Sequence, residues 1–210
     1  MKAVAIIPSR LQSSRLPEKA LKEISGIPMI IHVVKRCLFA SSLTEVFVAT
    51  DSIEIEQAVL AWGGKVIKTR ADHQSGTDRI AEAAQYVDAE VVVNVQGDEA
   101  LVNPAHIDKV VNSMFVDPSI KVAILVNEFT KKNSPGDIKV VLNERSEVMY
   151  FSRNDIPSST RSEVTSMLKA YHVVPFKKDF LIEYASWSPS KLEQIEFNEY
   201  LRILETEIAK

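Results

Sequence analysis

Two stretches of this chain hold the residue types that phosphate chemistry needs. The first follows an apolar run, Val4–Ile7, which breaks at Pro8 into a loop with Ser9, Arg10, Ser13, Ser14, Arg15 and Lys19. It sets three cations within ten residues beside backbone N–H groups freed by the turn. A triphosphate requires these parts: charge, bidentate guanidinium forks and N–H donors. The second stretch is Gln96-Gly97-Asp98-Glu99, directly after the apolar run Glu90–Val95. An acid at the end of a buried strand, opposite a phosphate loop, is placed to hold Mg²⁺, a hard cation that takes carboxylate, water and phosphate oxygens. Glu99 can share that task. Each signal alone has a plainer reading. Basic loops are usually solvated surface, and an acid after a strand usually makes a turn or caps a helix. The spacing fits neither the GxxxxGKS/T phosphate loop nor the GxGxxG fingerprint.

Between the two lies a dense polar stretch, Asp72-His73-Gln74-Ser75-Gly76-Thr77-Asp78-Arg79. Thr77 or Asp78 is expected to cap a helix, with Glu82 downstream. That leaves His73, Gln74 and Ser75 unexplained, and amides and hydroxyls there can read the edge of a base. His73 is expected to be structural rather than a catalytic base, since no acid is obviously paired with it. His32 reads as structural, His106 as surface, and His172, in YHVVPF, as able to face the cleft. No HExxH, histidine triad or GxSxG elbow is present, which argues against a zinc enzyme or a serine hydrolase of that type.

The elements that must position these residues follow from periodicity. Ile27–Ala40 is predicted helical, Glu45–Asp51 a strand ending in an acid, Ile53–Trp62 a helix closed by Gly63-Gly64, and Lys65–Lys68 a short strand. Asp78–Tyr86 is the third helix, Glu90–Val95 the fourth strand and Pro104–Met114 the fourth helix. Strands that are apolar throughout, alternating with helices, predict a mostly parallel sheet covered on both faces. Ligands bind such sheets outside the carboxyl ends of the strands, where both loaded loops sit. The second half reads differently. Lys121–Phe129, Asp137–Asn143, Val148–Phe151 and Ala170–Phe176 are predicted strands, 154–168 a mobile Ser/Thr-rich loop, Phe180–Ala185 a short helix and Lys191–Ile208 an amphipathic helix. This half is expected to be a smaller β-rich cap.

Composition sets bounds. At 210 residues, 46% hydrophobic and 25% charged, the chain has enough material for one substantial core. A net charge of −3 gives no case for a nucleic-acid or membrane surface. The single cysteine, Cys37, excludes an intrachain disulfide and a cysteine-based zinc site, and packing accounts for it. The start is too short in apolar residues for a signal peptide, so a cytoplasmic location is expected.

The segments IPSRLQSSRLPEKAL, TRADHQSGTDRIAEA, VVVNVQGDEALV, IKVVLN, MYFSRNDIP and WSPSKLEQIEFNEYLRILE together resemble the 3-deoxy-manno-octulosonate (Kdo) cytidylyltransferases, from residue 1 to about 207. The resemblance implies a single Rossmann-like nucleotidyltransferase domain, with residues 1–115 as nucleotide-binding half and 116–210 as sugar-binding and dimerisation half. It implies CTP + Kdo → CMP-Kdo + diphosphate, dependent on Mg²⁺, in a homodimer, for lipopolysaccharide biosynthesis. Carried onto matching positions, Arg10 and Lys19 hold the CTP phosphates, with Ser9, Ser14 and Arg15 in the same loop. Gln74 and Ser75 lie by the cytidine, Asp98 ligates Mg²⁺ and Gln96 touches the sugar. Arg153, Glu193 and Glu196 match the acid-sugar side.

Two departures modify those expectations. The family has a HxGxYxY-like strand where this chain has Ala170-Tyr171-His172-Val173-Val174-Pro175-Phe176. Ala170 takes the usual histidine's place, and His172 is expected on the same strand face, so an altered acceptor such as the 8-amino form of Kdo is admitted. The family also continues with a GVDTPEDL-like segment whose Asp is a second metal-binding carboxylate; without it, weak or conditional catalysis is expected. A cytidylyltransferase for a nonulosonic acid, or a nucleotide-binding homologue with reduced activity, are the alternatives.

Overall fold

The computed structural model describes residues 1–12, 16–161 and 165–208. Its backbone clusters into two compact units, Met1–Ile124 with His172–Ala185, and Leu125–Tyr171 with Ser186–Lys210. The halves expected to meet near residue 116 are therefore interleaved: the first unit takes back a segment from late in the chain.

The first unit opens on β1 (Ala3–Pro8), buried at every position. A small hairpin, β2 (Glu23–Ile24) and β3 (Ile27–Pro28), leads into α1 (Met29–Leu38), which carries Pro28 just before its first turn. Then come β4 (Glu45–Thr50), α2 (Ile53–Ala61) and β5 (Lys65–Lys68). The Ser52 hydroxyl caps α2 by accepting from the Ile55 N–H at 3.2 Å. Gly63, at φ 74°, lets the chain leave it. Next are α3 (Gly76–Ala84), β6 (Val91–Val95) and α4 (Pro104–Val116). The cap of α3 is Ser75, not Thr77 or Asp78. Its hydroxyl accepts from the Asp78 N–H at 3.1 Å while the Asp78 carboxylate accepts from the Ser75 N–H at 3.2 Å. An aspartate closes this reciprocal box where glutamate is usual.

The second unit contains β7 (Val126–Phe129), β8 (Lys139–Leu142), β9 (Val148–Ser152) and β10 (Met167–Ala170), an antiparallel sheet in the order β7-β10-β8-β9. The chain then re-enters the first unit as β11 (Val173–Lys177) and α5 (Lys178–Ala185). It ends in the second unit with α6 (Lys191–Glu196) and α7 (Leu201–Ile208).

The first unit's sheet runs β11-β6-β1-β4-β5. β1, β4, β5 and β6 are mutually parallel, and β11 lies antiparallel on β6. β6 is buried on both faces, as a parallel central strand requires. Mostly parallel strands, flanking helices and a smaller antiparallel sheet are the architecture read from the sequence.

Several boundaries differ from expectation. Ala170–Phe176 is two strands, broken at Tyr171-His172 and divided between the units. Ala170 and His172 therefore do not share a strand face. Lys191–Ile208 is two helices, because Phe197 takes a left-handed φ of 50° that ends α6. Lys121–Phe129 is strand only from Val126, and residues 167–168, placed in a loop, begin β10. Among the described residues, no helix is long and apolar enough to cross a membrane.

Candidate active site

β1 and β6 are adjacent and parallel, paired from Ala3 with Val91 to Ile6 with Asn94. Their carboxyl ends therefore deliver the two loaded loops to one edge. The approach there is close. A Cβ on Gly97 would lie 2.9 Å from the Pro8 carbonyl oxygen, so only glycine lets the second loop pass. Beyond Pro8, the Ser9 N–H donates to the Ala49 carbonyl at 2.9 Å and extends the pairing with β4. Glu18, at a left-handed φ of 54°, returns the chain and donates its N–H to the Leu11 carbonyl at 3.2 Å. That return carries Lys19 to the opposite loop, where its Nζ lies 2.5 Å from Asp98 Oδ2. Both side chains remain solvent-accessible, at 37% and 48%, so the pair adds little stability. Its interest is that the cation of the first loop and the acid of the second already meet.

An open cleft of about 280 Å³ lies at this edge, lined by Arg10, Lys19, Gln74, Ser75, Gln96 and Asp98 among others. Arg10 is exposed and has no hydrogen bond or ion pair with another described residue. Gln74 is exposed and, among the described residues, donates only to the Asp72 carbonyl, at 3.0 Å. Gln96 is oriented from below: its Nε2 donates to Asn94 Oδ1 at 2.9 Å, and Asn94 Nδ2 to Thr77 Oγ1 at 3.1 Å. Asn94 is fully buried, so this chain of amides fixes which end of Gln96 reaches the cleft.

Three residues of this site escaped sequence reasoning in their roles. Glu82, in the last turn of α3, pairs with His73 Nε2 and also accepts the Arg70 N–H at 3.2 and 3.3 Å. It is the acid that the sequence did not assign to His73, and it ties the loop before α3 to the helix. Burial pushes the Glu82 carboxyl up, but the His73 contact and the Arg70 N–H outweigh that and hold it below the usual carboxylate range. Arg79, 4% exposed, donates to Thr69 Oγ1 at 2.6 Å and pairs with Asp51 Oδ1 at 2.8 Å, joining α3 to the loops after β4 and β5. The third is Asn94, whose only sequence signal is that it interrupts the apolar run VVVNV.

Among the described residues no group of three or more histidine, cysteine or acidic side chains could hold a metal ion. The donor set does fit Mg²⁺, which binds through one or two carboxylates and completes its shell with water and substrate phosphates. Asp98 is an accessible carboxylate on the cleft wall. Ser14 and Arg15 lie outside the described residues.

The matched acid-sugar residues occupy the second unit, and their bonding is different. Arg153 donates from Nε to the Glu196 carbonyl at 2.8 Å, from Nη1 to Pro135 at 2.9 Å and from Nη2 to Phe197 at 3.0 Å. Glu193 completes the cap of α6 by accepting the Ser190 N–H at 2.9 Å, and it takes a two-pronged contact from Arg202 at 2.8 and 2.6 Å. Glu196 accepts from the Arg153 N–H, the Ser152 hydroxyl and the Tyr150 hydroxyl. His172 belongs to the first unit, in the two-residue break before β11. His106, expected at the surface, is half-buried.

The chain matches the family model described as cytidylyltransferase over residues 4–209. It is 42% identical to the 3-deoxy-manno-octulosonate cytidylyltransferase of Escherichia coli over 205 residues, covering 97% of this chain and 83% of that one. It is 41% identical to the enzyme of the same name from Geobacter metallireducens, covering 98% and 86%. The chain belongs to the 3-deoxy-manno-octulosonate cytidylyltransferase family. A solved CMP:2-keto-3-deoxy-manno-octonic acid synthetase complexed with CTP superposes with a TM-score of 0.95 at 41% identity, over 99% of this chain and 87% of that one. A cytidylyltransferase from Leptospira borgpetersenii shares the fold, at a TM-score of 0.63 and 17% identity, over 99% and 73%. The cleft described above is thus the candidate nucleotide site of a cytidylyltransferase.

Proposed function

We propose that this enzyme transfers CMP from CTP to the anomeric hydroxyl of Kdo, or of a close analogue such as its 8-amino form, releasing diphosphate. The observation that carries this reading is the cleft itself. It has a cation loop on β1, an acid on β6 and, at the start of α3, a loop of amide and hydroxyl groups suited to a base edge. In support, the first relatives above are named for Kdo and a close structural neighbour was solved with CTP.

The acceptor oxygen attacks the α-phosphorus, and the bond from that phosphorus to the bridging oxygen of the β-phosphate breaks in line. The hydroxyl proton passes to solvent or to the leaving diphosphate. This chemistry needs alignment and charge neutralisation rather than a covalent nucleophile. Arg10 and Lys19 neutralise the phosphates, with Ser9 and, from the same loop, Ser14 and Arg15. Gln74 and Ser75 hold the cytosine edge, and Gln96, fixed through Asn94, orients the sugar. Asp98 would hold Mg²⁺, which when bound withdraws charge from the phosphate oxygens. Lys19 leaves Asp98 for the phosphates as the nucleotide binds. Arg153, His172, Glu193 and Glu196 serve the acceptor side, Arg153 by meeting its carboxylate. A cytoplasmic homodimer serving lipopolysaccharide biosynthesis completes the proposal.

Diphosphate release is measured with CTP, Mg²⁺ and each of Kdo, 8-amino-Kdo and a nonulosonic acid. Turnover with Kdo or its amino form is expected. Turnover with the nonulosonic acid alone, or CTP binding without release for any acceptor, overturns the reading.

A further inference from the structure

The second unit contains a lysine with no exposed side-chain surface. Lys139, on β8, is 0% exposed, and lysine is almost never buried to that extent unless its charge is used. Its Nζ donates to three backbone carbonyls: Ser134 at 2.8 Å, Asp137 at 2.9 Å and Arg153 at 2.5 Å. All three ammonium donors are thereby matched. The Asp155 carboxylate stands 3.7 Å away and also accepts the Asn133 N–H at 2.8 Å. Asp137, whose carbonyl is one of the three, is itself held by Lys169 and by the Ser134 hydroxyl.

The segments this ammonium gathers are those that shape Arg153. Lys139 fixes the Arg153 backbone from one side, and the Glu196 carboxylate fixes the Arg153 N–H from the other, at 2.8 Å. Lys139 also fixes Ser134 and Asp137, which flank Pro135, and the Pro135 carbonyl is one of the three that orient the guanidinium. Those three carbonyls take three of the five guanidinium N–H donors. One N–H on each terminal nitrogen is left, and no carboxylate of the described residues pairs with the group. A guanidinium with a donor left on each terminal nitrogen and no carboxylate partner is a group that takes a carboxylate.

We infer that Lys139 is a positioning residue for acceptor recognition: it holds Arg153 in the pose in which the guanidinium meets the acceptor carboxylate. This rests on the proposed role of Arg153 above. A purely structural lysine would affect stability and both substrates alike, whereas a positioning lysine separates them.

The test compares Lys139→Met, Arg153→Ala and the double variant in the full chain, with KM measured separately for CTP and Kdo. Displacing a recognition group by about an ångström costs up to roughly a hundredfold, so Lys139→Met is expected to raise the Kdo KM about 10- to 100-fold. The CTP KM stays unchanged, and the double variant is no worse than Arg153→Ala. Asp155→Asn keeps the shape and removes only the adjacent charge; it is expected to raise the Kdo KM several-fold, and it serves if Lys139→Met does not fold. An unchanged Kdo KM in both Lys139→Met and Asp155→Asn, or in Asp155→Asn alone if the methionine variant is unfolded, overturns the inference, as do equal rises for both substrates. An unchanged Kdo KM in Arg153→Ala overturns instead the assignment of Arg153 to the acceptor.

Discussion

The two units treat the polar and charged residues that the motifs match to the site in different ways. In the first, Arg10, Gln74 and the Lys19–Asp98 pair stand at the cleft with few internal obligations. In the second, Glu193 and Glu196 spend their oxygens inside the unit, while Arg153 is anchored through three carbonyls and keeps two N–H donors. A ligand-facing charge contributes to turnover and little to stability; an internally spent charge does the reverse. The difference shows that a residue matched by motif to a site can serve it by contact or by holding another residue, and only bonding partners tell these apart.

The sharpest expected separation is at Asp98. Asp98→Ala should lower turnover by about a thousandfold, the scale for removing a preorganised electrostatic partner, while the melting temperature holds; retained activity would remove Asp98 from the metal site. Glu193→Ala should do the opposite. It removes the two-pronged carboxylate partner of Arg202, which is only 4% exposed, at a cost of about 3 kcal/mol for breaking a buried pair. Urea denaturation measures that loss, and unchanged stability would put Glu193 among the contact residues. Ser75 belongs to both classes: Ser75→Ala should cost about 1 kcal/mol through the lost cap and also raise the CTP KM. A rise in KM without loss of stability would mean that the box with Asp78 is dispensable.

The smallest effect is one of pH. The Glu82 carboxyl is depressed in the folded chain by His73 and the Arg70 N–H, against the opposing pull of burial. A depressed folded value gives stabilisation that is present above the unfolded carboxylate value. It is lost as pH falls through the folded value. Wild type should therefore lose more stability than Glu82→Gln on acidification through the carboxylate range. Parallel stability curves would show that Glu82 makes no net contribution.

Much of the first unit was legible because its signals are local. β1, β4 and β6 announce themselves as apolar runs, and both loaded loops follow strands directly. The Ser75 cap was misplaced by two or three residues because Thr77 and Asp78 are equally good capping types; only geometry shows Gly76 already in the helix. Glu82 was not assigned to His73 because nine residues and a loop separate them, and α3 folds back to join them. The breaks at His172 and Phe197 were hidden because neither contains glycine; the first is set by where β11 pairs, the second by a left-handed phenylalanine. The bonding of Lys139 was illegible for a similar reason, since its partners are backbone carbonyls and carry no residue identity.

Antiparallel β11 has a consequence for how the chain is made. Val91 on β6 pairs with Lys177, and Val95 with Val173, so one edge of β6 waits for residues synthesised about 80 positions later. Such non-local closure is slow to form, and until it forms β6 presents an unpaired apolar rim, the kind that recruits other chains. A nascent chain released near residue 124 would carry the complete cleft sequence and an open rim beside it. Ribosome-bound fragments should become protease-resistant and soluble only once α5 has emerged, which ties completion of the nucleotide site to translation of the last strand on that sheet.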